Sequence, residues 1–147
     1  MTLILMLIAV AAGLANPFQS GTNAELNKQI ASPVWAGIVV YGSGLLALLL
    51  VAGIARQAWP ADHRLTSVPA WAWFGGLISI VPTLAGLTLA QRLGAGIFTG
   101  LSVTAALACS VALDHFGLIG FRQHAASPAR LAGCALMIAG LWIVARA

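Results

Sequence analysis

The sequence predicts an all-α membrane protein of five transmembrane helices, and three observations carry that prediction. Hydrophobic residues make up 61% of the 147 and charged ones 7%, against about a quarter charged in a soluble domain. The mean hydropathy is +0.98. The apolar residues also fall into five runs, parted by Pro, Gly or short polar stretches. Crossing the ~30 Å hydrocarbon core takes about 20 helical residues, so five spans with tight loops account for the whole length. Residues 1–147 are therefore expected to form a single transmembrane domain whose surroundings are the lipid bilayer.

Helix one is predicted over residues 3–30, and the stretch from Asn16 to Asn27 (NPFQSGTNAELN) sets it apart. On a helix, Asn16, Gln19, Ser20, Asn23 and Asn27 fall at i, i+3, i+4, i+7 and i+11, which is one face. Ala9, Ala12 and Gly13 continue that line with small residues, while Leu14, Phe18, Leu26 and Ile30 lie off it. Amides are costly against lipid, so the stripe should face protein or a water-filled path. Two readings stay open. Amides hydrogen-bond a solute without a fixed charge, which suits a translocation pathway; they also glue helices together. Pro17 removes one helical hydrogen bond inside the stripe and is expected to kink the helix. The first run is apolar enough for a cleaved signal peptide, but no Lys or Arg precedes it and no clear A-x-A site follows. A retained first helix is expected.

Helix two is predicted over residues 33–55, with Ser32 as its cap and Pro33 in its first turn. It carries Gly37, Tyr41, Gly42 and Gly44, and Trp35 and Trp59 flank it at interface positions. The link from Arg56 to Val68 (RQAWPADHRLTSV) is the most polar stretch of the chain and reads as a surface loop. Pro69 opens helix three, predicted over residues 69–90, where Trp71 and Trp73 form an interfacial pair. Its Gly75, Ser79, Pro82, Thr83, Gly86 and Ala90 make a small or polar face with a second proline kink. Gln91-Arg92-Leu93-Gly94 has room only for a hairpin. Helix four, residues 95–116, sets Gly96, Gly100, Thr104, Ala108 and Ala112 at strict four-residue spacing, a ridge that lets another helix approach closely, within the chain or across a dimer. Gly117 is placed to cap it. Ser127-Pro128 repeats the cap-plus-proline start for helix five, residues 128–145, in which Gly133 and Gly140 allow close packing.

Charge is scarce. The formal net charge is +4, but the seven cations are scattered and form no basic patch, so they read as membrane-flank residues and nucleic acid is not an expected partner. With the N-terminus in the cytoplasm, the loops after helices two and four hold Arg56, Arg64, Arg122 and Arg130, and the other side holds Lys28, Arg92 and Arg146. That is almost no positive-inside bias: either subtler signals fix the orientation or the protein inserts both ways. Glu25 is a candidate proton or cation site, or an interfacial carboxylate paired with Lys28 three residues on. Asp114 is read as structural, with His115 or Arg122, ahead of a transport role. Arg92 reads as a surface anchor. His63, His115 and His124 lie in or beside loops with no metal-ligand spacing, and Cys109 and Cys134, inside apolar segments, read as buried thiols. Ser102 lies in GLSV, faintly like an intramembrane serine nucleophile motif, but the second glycine is absent and no histidine sits at membrane depth to activate it. No enzyme, metal or cofactor is expected.

Several short motifs, in their order and spacing, resemble the YdcZ-like inner-membrane family of the drug/metabolite transporter superfamily. They are Gln19-x3-Asn23-x2-Leu26, Pro33, Ala72-Trp73-Phe74-Gly75-Gly76, Arg92-Leu93-Gly94-Ala95 and Asp114-His115-Phe116-Gly117, and the likeness covers nearly the whole chain. The region from Arg92 to Ser110 is also similar to the small multidrug transporters, with a basic residue, a tight turn and a glycine-rich helix in succession. Two departures stand out: Ala105-Ala106 occupy the place of a Gly-Gln common in helix four of the YdcZ-like sequences, and Asn16 and Gln19 stand where the small multidrug transporters carry a membrane-embedded glutamate. The resemblance implies an integral protein of a bacterial inner membrane, a small transporter with packing like that of the small multidrug transporters.

The expected activity is movement of a small organic solute by alternating access. The expected path is lined by Asn16, Gln19, Ser20 and Asn23, with Ser79 and Thr83 of helix three and Thr99, Ser102 and Ser110 of helix four; Gly96, Gly100, Thr104 and Ala108 serve helix packing. Transporters with a midplane site commonly pair two repeats of inverted topology, and larger members of the resembled superfamily have ten helices. A homodimer is therefore expected, antiparallel in preference to parallel. A passive ion or solute channel and a membrane subunit requiring a homologous partner chain are the competing classes.

Overall fold

A computed structural model describes residues 2–60 and 65–146; the readings placed on His63 and Arg64 lie outside the described residues. Among the described residues there are five helices long and apolar enough to cross a membrane, and no strand. They are α1 (Thr2–Ile30), α2 (Pro33–Ile54), α3 (Ala70–Leu93), α4 (Ala95–Phe116) and α5 (Pro128–Arg146). The chain divides into two compact units: residues 18–92, holding the second half of α1 with α2 and α3, and residues 1–17 with 93–147, holding its first half with α4 and α5.

In the unit of residues 18–92 the core is made of small residues. Ala24, Ala36, Gly37, Gly86 and Ala90 are buried, and Leu87, 2% exposed, is the one large side chain among them. Lipid is as apolar as leucine, so helices here gain from close backbone approach and dispersion contacts rather than from leaving water. A methyl added at Gly37 would touch Leu87 Cδ1 at 3.8 Å and Leu84 Cδ2 at 3.9 Å, which fixes how closely α2 meets α3. The large side chains point outward instead, Ile54 at 83% and Phe18 at 77% exposure, as a lipid-facing surface requires. Ala31, with φ 54°, ends α1 in the left-handed region, and Ser32 then takes the extended backbone of an N-cap with Pro33 in the first turn of α2. The Ser32 side chain makes no capping bond, so only its backbone fills the expected role.

The two prolines act differently. α1 runs through Pro17 as one helix. α3 is a composite: a 3-10 turn over Ala70–Phe74, one α-turn over Gly75–Ile78, an interruption at Ser79, then Ile80–Leu93. Pro82 has no N–H for the Ile78 carbonyl and crowds it with its ring, so the helix breaks beside Ile78. Hydroxyls bind the broken segment together: Ser79 donates to the Gly76 carbonyl at 2.6 Å and Thr83 to the Ser79 carbonyl at 2.9 Å. At its far end α3 continues to Leu93, so Gly94 alone, at φ 83°, makes the turn expected to take Gln91–Gly94.

In the other unit, α4 ends as its sequence promised. Gly117 is left-handed (φ 62°, ψ 37°); its N–H reaches the Asp114 carbonyl at 3.4 Å and that of Leu118 reaches Leu113 at 3.0 Å, the double bond of a Schellman cap. Gly117→Ala is expected to cost about 1–2 kcal/mol from the left-handed backbone alone, with extra crowding against Gln123 Cβ at 3.2 Å; detergent-phase thermal unfolding checks it. Ser127 does cap α5, accepting from the Arg130 N–H at 3.3 Å. Asp114 pairs with Arg130 at 3.3 Å, not with His115 or Arg122. The reason is connectivity: the loop returns so that the Asp114 carbonyl takes the His124 N–H at 2.7 Å and His115 Nδ1 takes that of Ala126 at 3.0 Å, which brings the first turn of α5 to the end of α4.

Candidate functional site

The helix-one stripe divides into two parts. Asn27 is spent on structure: its Nδ2 donates to the Leu87 carbonyl on α3 at 2.9 Å, while its Oδ1 is buried and accepts nothing. The side chains of Asn16, Gln19, Ser20 and Asn23 make no hydrogen bond among the described residues. Gln19 is exposed, and Ser20 and Asn23 are half-buried. Within the stripe, glue is therefore the work of Asn27, and the amides that precede it keep their donors and acceptors free.

Asn27 also fixes register. Successive spans cross in opposite directions, so α1 and α3 run parallel, and both meet near their C-terminal ends through Asn27 and Leu87. One turn back on each helix are Asn23 and Thr83; two turns back are Gln19, Ser20 and Ser79. Ser79 and Thr83, both half-buried, are joined by Tyr41 of α2, whose phenol lies 2.7 Å from Ser79 Oγ and 2.9 Å from Thr83 Oγ1. Tyr41 is a residue that the sequence reading did not connect with these two candidates. Its signal was faint but present, a lone tyrosine amid glycines in an otherwise apolar span.

Glu25 lies at the end of the stripe, exposed, and is fully engaged. Gln29 donates to Oε1 at 2.8 Å, and Gln91 at 3.4 Å and Lys28 at 3.6 Å reach Oε2. That arrangement favours the interfacial carboxylate, pairing Lys28 as the spacing suggested.

The remaining candidates belong to the other unit. Asn16 is exposed. Thr99 lines an open, apolar groove of about 380 Å³ between α4 and α5, beside Gly96, Gly100 and Thr104 and opposite Gly140 and Leu141. The upper part of the small-residue ridge thus faces α5 of its own chain, whereas Ala108 is exposed. Ser102 is exposed and turns its hydroxyl back to the Phe98 carbonyl at 2.9 Å, and Ser110 is exposed without a hydrogen-bonded partner among the described residues. Among the described residues no group of His, Cys, Asp or Glu could hold a metal ion.

Neither a curated protein nor a solved structure matches the chain. A family model does, described as "Putative inner membrane exporter, YdcZ", and it aligns with residues 4–143. Five spans and a match over nearly the whole length agree: the chain belongs to the YdcZ family of inner-membrane exporters and is an integral protein of that membrane.

Proposed function

We propose that the chain moves a small organic solute across the inner membrane by alternating access, working as a dimer. The observation that carries this is the row of unspent amides, Gln19 and Asn23, at the level of the Ser79–Thr83 hydroxyls on α3. Polar groups at membrane depth are expensive unless something binds them, and a passing solute that donates and accepts hydrogen bonds does so transiently. The interruption of α3 at Ser79 gives the path a joint that bends without breaking a complete helix. Ser20 lies on the same face. Asn16, Thr99, Ser102 and Ser110 belong to the other unit, and this reading does not rest on them.

The test is flux in proteoliposomes. Gln19→Ala and Asn23→Ala are expected to cut solute flux severely while leaving expression, unfolding midpoint and oligomer unchanged. Interhelical glue predicts the reverse, normal flux in whatever folds and a stability loss of roughly 0.6–2 kcal/mol per bond. Saturation and counter-exchange mark a carrier, and bulk current marks a channel. Leu14→Ala and Phe18→Ala, off the stripe, serve as controls with little expected change.

A further inference from the structure

The Tyr41–Ser79–Thr83 cluster contains an imbalance of protons. Four oxygen–oxygen contacts lie at hydrogen-bond distance: Tyr41 with Ser79 (2.7 Å), Tyr41 with Thr83 (2.9 Å), Ser79 with the Gly76 carbonyl (2.6 Å) and Thr83 with the Ser79 carbonyl (2.9 Å). Each hydroxyl has one proton to give. Three protons serve four contacts. A carbonyl donates nothing, so the two backbone contacts claim the Ser79 and Thr83 protons. Tyr41 can then satisfy only one of its neighbours, and the remaining pair of oxygens face each other lone pair to lone pair. In the low dielectric of a membrane span such a pair is costly.

The surroundings narrow what offsets it. Tyr41 lies eight residues into α2, about 12 Å along the helix, and Ser79 lies near the middle of Ala70–Leu93, so the cluster lies within both spans. α2 has no charged residue, and α3 has Arg92 alone, thirteen residues beyond Ser79. In the same turn of α3 the Ile78 carbonyl has lost its helical donor to Pro82. The site is built of neutral oxygens only. Carboxylates are what divalent ions demand, whereas neutral hydroxyl and carbonyl oxygens at a helix interruption suit a single positive charge.

We propose that Tyr41, Ser79 and Thr83 form a site for a dehydrated monovalent cation, seated where the unprotonated oxygen pair converges. The ion accepts lone pairs from the phenol and the hydroxyls, which keep their protons on the Gly76 and Ser79 carbonyls, and the three oxygens need part only slightly. The proposal rests on the path reading only in that Ser79 and Thr83 belong to that path. It makes the solute path sensitive to an ion, without requiring any particular solute.

The experiment is a thermal unfolding series on the purified full chain in detergent, in sodium, potassium, ammonium or choline chloride at equal ionic strength. A ligand of the native state raises the midpoint progressively with its concentration. The expected result is such a rise with at least one of the three small cations over choline, and its loss in Tyr41→Phe and Thr83→Val. Identical midpoints in all four salts overturn the proposal, as does a rise that survives intact in Tyr41→Phe; a water molecule supplying the missing proton gives the flat series. Should both variants fail to fold, the parent protein still decides the matter. Tyr41 is its only tyrosine, so the tyrosine bands of an ultraviolet resonance Raman spectrum report this phenol alone. They are expected to shift when the stabilising cation replaces choline, and an unchanged spectrum overturns the site. Normal solute flux with no cation response leaves the transport reading standing and this site refuted; a cation response without solute flux does the opposite.

Discussion

Gly100→Leu is expected to destabilise the protein by about 1–3 kcal/mol, the usual cost of forcing extra carbons into a packed contact. A methyl at Gly100 would already lie 2.6 Å from Leu141 Cδ1, a separation that van der Waals radii forbid. The Leu141 terminus can swing toward the adjacent groove lined by Gly96, Thr104 and Gly140, and alanine recovers roughly 0.5–1 kcal/mol of helix propensity that glycine forgoes. Gly100→Ala is therefore expected to be near neutral. Leucine adds three more carbons and needs the backbones of α4 and α5 to separate. Gly133→Leu is the control, since nothing lies within 4 Å of a methyl built there, and its expected change is small. Unfolding by heat or by denaturing detergent ranks the three variants. A Gly100→Leu protein as stable as its parent would show that the α4–α5 contact contributes little.

The contrast between those two glycines shows what sequence alone conveys here. The four-residue spacing from Gly96 to Ala112 announced a ridge but not what it faces: Gly100 meets Leu141, while Ala108, on the same line, is exposed. Composition was enough for five spans because burial in lipid leaves its mark on every residue of a helix. Local chemistry was enough for Gly117 and Ser127, whose caps involve residues a few positions away. Contacts between distant positions left no such mark. The Asn27–Leu87 bond joins residues 60 apart and the Tyr41–Ser79 bond residues 38 apart, and nothing in a stripe of amides says which member will be spent on a neighbour. Pro82 was legible as a disturbance, yet the position and form of the break at Ser79 depended on hydroxyls closing on the nearest carbonyls.

Impermeant labelling of intact cells is expected to reach only a fraction of the copies at each of two loop cysteines, with the rest reacting after lysis. The argument starts from the cations. Four flank one side of the five spans and three the other, and the two acids Asp62 and Asp114 on the first side against Glu25 on the second leave two net charges each. Acidic residues weigh little in membrane insertion, but here neither way of counting selects an orientation. A strong bias would forbid one of the two. Five spans also place the two ends of the chain on opposite sides, so two oppositely inserted copies form an inverted pair of the kind on which midplane sites are commonly built. We propose on these grounds an antiparallel homodimer. Ala58, before α3, and Ala125, before α5, are both exposed and lie in loops that face the same side of the membrane. Each is replaced by cysteine in a background lacking Cys109 and Cys134. Equal partial labelling at Ala58→Cys and Ala125→Cys is the expected outcome. Adding three arginines to the loop after α2 should then drive both sites to complete protection in intact cells, and wild-type copies supplied alongside should restore flux if the fixed copies need an inverted partner. Complete labelling or complete protection of every copy before any arginine is added would refute the antiparallel pair and leave a parallel dimer or a heteromer as the working unit.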